Sequence, residues 1–119
     1  LQPTVEAGRA ATAELLNQHP ADRPDALLAS NGLLLLGAAQ AIQSAGLQMP
    51  HDIGLAGFDN NDWTTLPALD VTVIEQPTYE IGRTAAELLL QRLAEPTRPV
   101  RSVVLEGRLL ARGSTRRGG

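Results

Sequence analysis

The sequence contains no cysteine and only one phenylalanine, one tryptophan and one tyrosine. The lack of cysteine excludes a disulfide framework, a thiolate nucleophile and a zinc site with Cys ligands. No apolar run approaches the roughly 18 residues that a membrane span requires, and residues 1–10 lack the basic start and apolar segment of a secretory signal. We therefore expect a soluble, cytoplasmic protein without a membrane partner, whose core consists of Leu, Ala, Val and Ile.

The chain also lacks an excess of positive charge. Ten basic and thirteen acidic residues give a net charge of −3 over 119 residues. A self-sufficient nucleic-acid binder usually needs a basic surface, because neutralisation of phosphates supplies most of its affinity. Four arginines, Arg108, Arg112, Arg116 and Arg117, cluster near the C-terminus, and we interpret this cluster as a solvated tail.

Caps and hydrophobic periodicity predict three helices, which begin near Thr4, Asn31 and Thr78. Short apolar runs at 25–30, 53–58, 71–76 and 102–111 predict strands. Because these strands are continuously apolar and alternate with helices, the sequence predicts an α/β fold with a Rossmann-like parallel sheet covered by helices on both faces.

The first and third helices should each bury one apolar face. The first face comprises Val5, Gly8, Thr12, Leu15 and Leu16. The third comprises Ile81, Ala85, Leu88, Leu89 and Leu93. We expect both faces to point inward.

Two junctions between a strand and the following polar residues are candidate sites. Asn31 follows the first strand, and Asp59 follows the second. Ligands of open parallel sheets bind at the carboxyl edge of the strands, and an amide beside a carboxylate suits a polyhydroxylated ligand. The alternatives are that Asn31 only caps its helix and Asp59 only opens a turn. Trp63 could stack on a sugar face or fill a gap between loop and helix.

Metal and catalytic sites have little support. Asp59, Asn61 and Asp70 match the first, third and twelfth positions of an EF-hand loop, but Thr64 occupies the position that requires glycine. The sequence contains no nucleophile elbow, phosphate-binding loop or dinucleotide fingerprint. We therefore predict no metal ligands, catalytic residues or cofactor, and a small α/β enzyme remains an alternative for turnover assays.

Three stretches together span nearly the whole chain. The first is "PDALLASNGLLLLGAAQAIQSAGLQMPHDIGLAGFDNNDW", the second "VTVIEQPTYEIGRTAAELLLQRL" and the third "LEGRLLARGST". In order and spacing they resemble the C-terminal part of lactose/galactose-repressor (LacI/GalR) family transcription regulators. The resemblance implies an effector-sensing core of the periplasmic-binding-protein type, with two Rossmann-like subdomains around a small, sugar-like ligand. It implies that residues 1–76 form the second subdomain, incomplete at its start. Residues 77–119 would supply the crossover helix and terminal strands that return to the first subdomain and back.

The same resemblance assigns roles to individual residues. Asn31 and Asp59 correspond to effector-contacting positions, and Trp63 lies in the loop used for the cleft wall. Leu36 and Ala39 lie near the position of the family's dimer contact. The implied partners are a small-molecule effector and a second copy of the chain, and operator DNA would be bound through a headpiece absent here. A transport-type periplasmic sugar-binding protein with the same fold is the alternative.

The sequence departs from the family pattern in two places. Gly32 replaces an aspartate that usually follows the asparagine, and Leu69–Val73 reads "LDVTV" where the family has "PPLTT". The first departure concerns the polar detail of the Asn31 loop. The second concerns the local path of the chain near the dimer face.

Overall fold

A computed structural model describes residues 1–117, and the chain divides into two compact units. One unit comprises Leu1–Glu75 together with the residues from Leu109 onward, and the other comprises Gln76–Arg108. The resemblance implies that residues 77–119 leave for the other subdomain and come back, and this assignment of residues to subdomains stays a prediction.

The two helices of the first unit begin and end as their capping residues predict. Helix α1 spans Val5–Leu16, and the Thr4 hydroxyl accepts a hydrogen bond from the Ala7 amide at 3.1 Å. Helix α2 spans Gly32–Ser44. Gly46, two residues beyond its last residue, has a φ of +71° in the left-handed region and stops the helix. The amides of Gly46 and Leu47 donate to the carbonyls of Gln43 and Ile42, which is the Schellman arrangement.

Four strands form one sheet in the order β1-β2-β3-β4. They span Ala26–Leu28, Gly54–Phe58, Thr72–Glu75 and Arg108–Leu110. Strands β1, β2 and β3 pair in parallel, with Leu27 opposite Leu55 and Gly57 opposite Val73. The predicted α/β class with a parallel sheet is confirmed. Residues 102–107 form no regular structure, so the final strand is shorter than predicted, because an apolar run forms a strand only where a neighbouring strand accepts its hydrogen bonds.

The core lies between α2 and the sheet. Leu35 of α2 packs over Gly57, where an added Cβ would stand 2.7 Å from a Leu35 methyl carbon. The buried apolar cluster comprises Leu16, Leu35, Ala38, Ala39, Ile42, Ile53, Leu55, Val71 and Val73. Helix α1 packs against α2 through the close approach of Gly8 to Leu34 and of Gly37 to Arg9. Leu15, predicted to point inward, is 37% exposed because Leu16 takes the core position.

The C-terminal segment is bound to the sheet by its polar residues. The Ser114 hydroxyl donates to the Leu55 carbonyl at 2.5 Å and accepts from the Thr72 amide at 2.8 Å. The Arg117 guanidinium donates to the Asp25 carbonyl. The interpretation of the arginine cluster as a solvated tail is therefore wrong for Arg117, and also for Arg112, whose contacts are described below.

The second unit consists of helix α3, Thr78–Ala94, and the segment that follows it. None of the residues of α3 is buried. Its predicted inward face is exposed except at Leu88, which is half-buried. The Arg92 guanidinium donates to the carbonyls of Pro96 and Arg98, which folds the following segment back beside the end of the helix. No helix within residues 1–117 is long and apolar enough to cross a membrane.

Candidate functional site

A concavity of about 360 Å³ lies where β1 and β2 end and α2 begins. Its lining comprises Asn31, Gly32, Leu33, Leu36, Asp59, Asn61 and Trp63. The three residues predicted to bind ligand therefore line one concavity. Because β1 and β2 are parallel neighbours, their carboxyl ends meet at the same edge of the sheet.

Asn31 occupies the N-cap of α2. Its side-chain oxygen accepts a hydrogen bond from the Leu34 amide at 2.9 Å, which satisfies one of the unpaired donors at the start of the helix. Asn31 therefore caps its helix, and its contact with a ligand stays a prediction. The cap also fixes the orientation of the side chain at the edge of the concavity.

Asp59 is held in an uncommon backbone conformation. Its φ is +77°, in the left-handed region that non-glycine residues seldom adopt. Its amide donates to the Ile74 carbonyl at 3.0 Å, which ties the residue to β3. Strained backbone of this kind occurs often at functional sites, where the surrounding structure enforces it.

Gly32 leaves room for the Asp59 carboxylate beside the start of α2. A Cβ at this position would lie 3.1 Å from Asp59 Oδ2 and 3.1 Å from Asn61 Nδ2. Both distances are shorter than ordinary van der Waals contact. Glycine at position 32 therefore lets two polar side chains of the loop lie close to the helix N-terminus.

Trp63 lies between the loop and the core, and its stacking on a sugar face stays a prediction. It belongs to the 3-10 helix Asp62–Thr65 and is half-buried against the core cluster. It also lines the concavity. One part of the indole fills the space between loop and core, and another part is available as an apolar wall.

Asn61, which belongs to the polar run after β2, also lines the concavity. One residue of this region was missed from the sequence. Arg112 donates to Asn60 Oδ1 at 2.7 Å, to Thr64 Oγ1 at 3.0 Å and to the Val71 carbonyl at 3.1 Å. No local pattern pairs Arg112 with a loop some fifty residues away.

The segment Leu69–Val73 contacts the same loop and the C-terminal segment. The Val71 amide donates to the Thr64 carbonyl at 2.8 Å, and the Asp70 carboxylate accepts from the Gly113 amide at 2.9 Å. Val71 and Val73 are fully buried in the core. The segment is therefore held between the loop and the C-terminal segment.

The two residues predicted near a dimer contact occupy different environments. Ala39 is 1% exposed and packs in the core of its own chain, so it offers no surface to a second copy, and its assignment to the interface is wrong. Leu36 is half-buried and lines the concavity. Its role in dimer contact stays a prediction.

The site offers hydrogen-bonding groups and an apolar wall. Carboxylate oxygens accept from hydroxyls, amides both donate and accept, and an indole face packs on the C–H face of a sugar ring. Among residues 1–117, no group of three or more His, Cys, Asp or Glu side chains could hold a metal ion. The arrangement therefore suits a small, hydroxyl-rich molecule.

Comparison with known proteins identifies the family. Residues 2–115 match the family model described as a periplasmic binding protein-like domain. The chain is 37% identical over 93 residues to the HTH-type transcriptional regulator KdgR of Bacillus subtilis, and the matched residues cover 78% of this chain and 27% of that protein. It is 37% identical over 113 residues to the HTH-type transcriptional repressor CytR of Escherichia coli, and there the matched residues cover 95% of this chain and 33% of the repressor.

Solved structures give the same result. A regulatory protein of the LacI family from Chloroflexus aggregans matches with a TM-score of 0.80 and 30% identity, over 96% of this chain and 41% of that one. A LacI family transcriptional regulator from Arthrobacter, in complex with lactose, matches with a TM-score of 0.77 and 32% identity, over 95% of this chain and 42% of that one. The chain thus spans about a quarter to a third of the length of these curated regulators. The chain belongs to the periplasmic binding protein-like domain family, in the form found in LacI/GalR-type transcriptional regulators.

Proposed function

We propose that this chain is part of the effector-sensing domain of a DNA-binding transcriptional regulator and that its concavity binds a small sugar or sugar derivative. Asn31 and Asp59 provide the polar contacts, and Trp63 provides the wall. The observation that carries this proposal is that all three line one concavity at the carboxyl edge of a parallel sheet. The lactose bound to the Arthrobacter regulator supports the choice of ligand class.

A calorimetric titration with a matched pair of variants tests the site. Asp59→Asn keeps a residue that tolerates the left-handed conformation and removes only the charge. We expect a loss of about 1.5–3 kcal/mol in binding free energy, the range for a hydrogen bond to a charged group. Asp62→Asn, the same change in an exposed residue of the same loop outside the concavity lining, is the control and should retain affinity.

The titration uses the intact regulator and a panel of lactose, sucrose, ribose and purines. Equal affinities of the wild type and Asp59→Asn would contradict the assignment of the site. Failure of every probe to bind the wild type would contradict the ligand class.

We further propose that effector binding in the intact protein changes operator binding by a dimer, through a DNA-reading headpiece outside this chain. The transcriptional regulators among its relatives support this role and a cytoplasmic location. They also support a binding role for the chain rather than an enzymatic one. Ligand would act by its different affinities for two conformations of the protein.

The second candidate is a transport-type sugar-binding protein, which the family description favours because it names periplasmic binding proteins. The two candidates differ in the segment that precedes the domain in the gene. A helix-turn-helix would support the regulator, and a secretory signal would support the transport protein.

A further inference from the structure

The side chain of Asn60 joins three segments that are distant in sequence. Its amide nitrogen donates to Glu75 Oε2 at 2.8 Å, and its amide oxygen accepts from Arg112 Nη2 at 2.7 Å. One contact reaches the end of β3, and the other reaches the C-terminal segment. All three residues belong to the first unit.

These contacts lie at the two places where the chain passes between its units. Glu75 is the last residue of the first unit before the chain enters the second, and the chain returns at Leu109. Arg112 follows that return by three residues. A single side chain thus contacts both segments that connect the units, which we call the crossover segments, Glu75–Gln76 and Arg108–Arg112.

Asn60 also lies inside the loop that forms the candidate site. Asp59 precedes it and Asn61 follows it, and both line the concavity. The Arg112 guanidinium bonds in addition to Thr64, which is fully buried in the same loop. Any displacement of Asn60 must therefore move residues of the site and change the contacts of the crossover segments together.

The hydrogen bonds of Asn60 to Glu75 and Arg112 each have a charged partner, a carboxylate on one side and a guanidinium on the other. Bonds of this type are stronger than bonds between neutral groups. Asn60 is exposed, and exposure to water reduces their contribution. The pair of bonds is thus strong enough to favour one arrangement and weak enough to break reversibly.

We propose that Asn60 is a positioning residue that couples the effector-site loop to both crossover segments. The proposal rests on the proposed function only in naming the loop as the effector site. Asn60 need not contact the ligand directly. A ligand that shifts Asp59 or Asn61 also shifts the residue between them. Asn60 therefore contributes to the response of the protein to its ligand.

Hydrogen exchange of the 119-residue chain, measured by mass spectrometry without any sugar, tests the coupling. Asn60→Ala removes the bonds to Glu75 and Arg112, together with a longer one of 3.4 Å from the Thr64 hydroxyl within the loop. We expect exchange to become about three- to tenfold faster in peptides from the loop and both crossover segments, the factor that corresponds to one exposed hydrogen bond. Peptides from α2 serve as the internal reference, because a general loss of stability would accelerate their exchange too.

A charge exchange provides the rescue. Asn60→Asp alone places a carboxylate beside Glu75 and should accelerate exchange in the same peptides. Asn60→Asp combined with Glu75→Gln should restore slow exchange, because the amide at position 75 then donates to the carboxylate at position 60, which still accepts from Arg112. Thr65→Val removes a different hydrogen bond of the loop, to the Asp62 carbonyl, and should affect the loop alone.

Unchanged exchange in both crossover segments of Asn60→Ala would overturn the proposal. Failure of the combined variant to restore slow exchange would overturn it as well. Because the measurement contains no sugar, a chain that binds none of the probe sugars would overturn the proposed function and would leave the exchange result to decide the coupling.

Discussion

The Ser114 hydroxyl donates a 2.5 Å hydrogen bond to the carbonyl of Leu55, a residue in the centre of the sheet. The same hydroxyl accepts from the Thr72 amide on the neighbouring strand. Through this one buried side chain, the C-terminal segment is hydrogen-bonded to two parallel strands. The site loop rests on this segment through Arg112.

Ser114→Ala should lower the free energy of unfolding by about 1–3 kcal/mol, because it leaves a buried backbone amide without its hydrogen-bond acceptor. Urea denaturation followed by circular dichroism gives the value. Ser102→Ala, at an exposed serine outside regular structure, should change it by less than about 0.5 kcal/mol. Equal effects of the two substitutions would show that Ser114 does not hold the segment.

Gly37→Ala should destabilise the packing of α1 on α2. An added Cβ would stand 2.5 Å from the Arg9 amide nitrogen and closer still to the Val5 carbonyl oxygen, and rigid backbone atoms cannot yield as a flexible side chain can. We expect a loss of about 1–3 kcal/mol in unfolding free energy, the cost of overpacking.

The matched control is Gly82→Ala in α3, where a Cβ would meet nothing within 4 Å. This substitution should stabilise the helix by about 0.5–1 kcal/mol, because alanine has the higher helix propensity. Thermal unfolding monitored by circular dichroism compares the two. A tolerated alanine at position 37 would contradict the close approach of the two helices.

Gly32→Ala should alter the site more than it alters stability. The new methyl group would press on Asp59 Oδ2 and Asn61 Nδ2, so both side chains must shift by a few tenths of an ångström. The emission of Trp63, the only tryptophan, should change because the indole lines the same concavity. Affinity for a probe sugar that binds the wild type should fall, while the urea midpoint stays nearly constant. A large fall in the midpoint with unchanged emission would refute this expectation.

The chain alone should show no operator-specific DNA binding. Its net charge is −3, and specific binding requires both phosphate contacts and a reading element in a groove. Weak binding through the arginines at positions 108–117 should disappear at moderate salt. Fluorescence anisotropy with an operator duplex and a scrambled duplex is the measurement. Binding of the operator duplex but not of the scrambled duplex at physiological salt would contradict the prediction.

The chain should form a dimer or a larger oligomer. Helix α3 exposes several large apolar side chains: Tyr79, Ile81, Leu89, Leu90 and Leu93. Burial of one such side chain contributes roughly 1.5–3 kcal/mol, so cover by a second copy would be favourable. Light scattering at micromolar concentration should report more than one chain, and Leu89→Gln with Leu93→Gln should lower the mass. A stable wild-type monomer would contradict this prediction.

The local structure of the chain was predictable where short-range chemistry decides it. Thr4 and Asn31 cap helices because their side-chain oxygens accept amides three residues later. Gly46 ends α2 because glycine adopts a positive φ without steric cost. The position of Asn31 and Asp59 at one edge followed from parallel strands, whose carboxyl ends must meet.

The final strand and the third helix were less predictable. Residues 102–107 are apolar in part, yet only Arg108–Leu110 form a strand, because a strand depends on a neighbour that the local sequence does not specify. The face of α3 has helical periodicity, but periodicity identifies a face and not what covers it. Leu15 and Leu16 illustrate the same point, since only one of two adjacent leucines reaches the core.

The sequence by itself determined the order of helices and strands, their caps and the family. The tertiary structure decided which distant residues meet. Arg112 reaches Asn60 and Thr64 only because the chain leaves the first unit after Glu75 and returns at Leu109. Local propensities act over a few residues, whereas such contacts depend on the folding of the whole chain. For this reason the arginine cluster read as a tail in the sequence, although in the structure Arg112 supports the site.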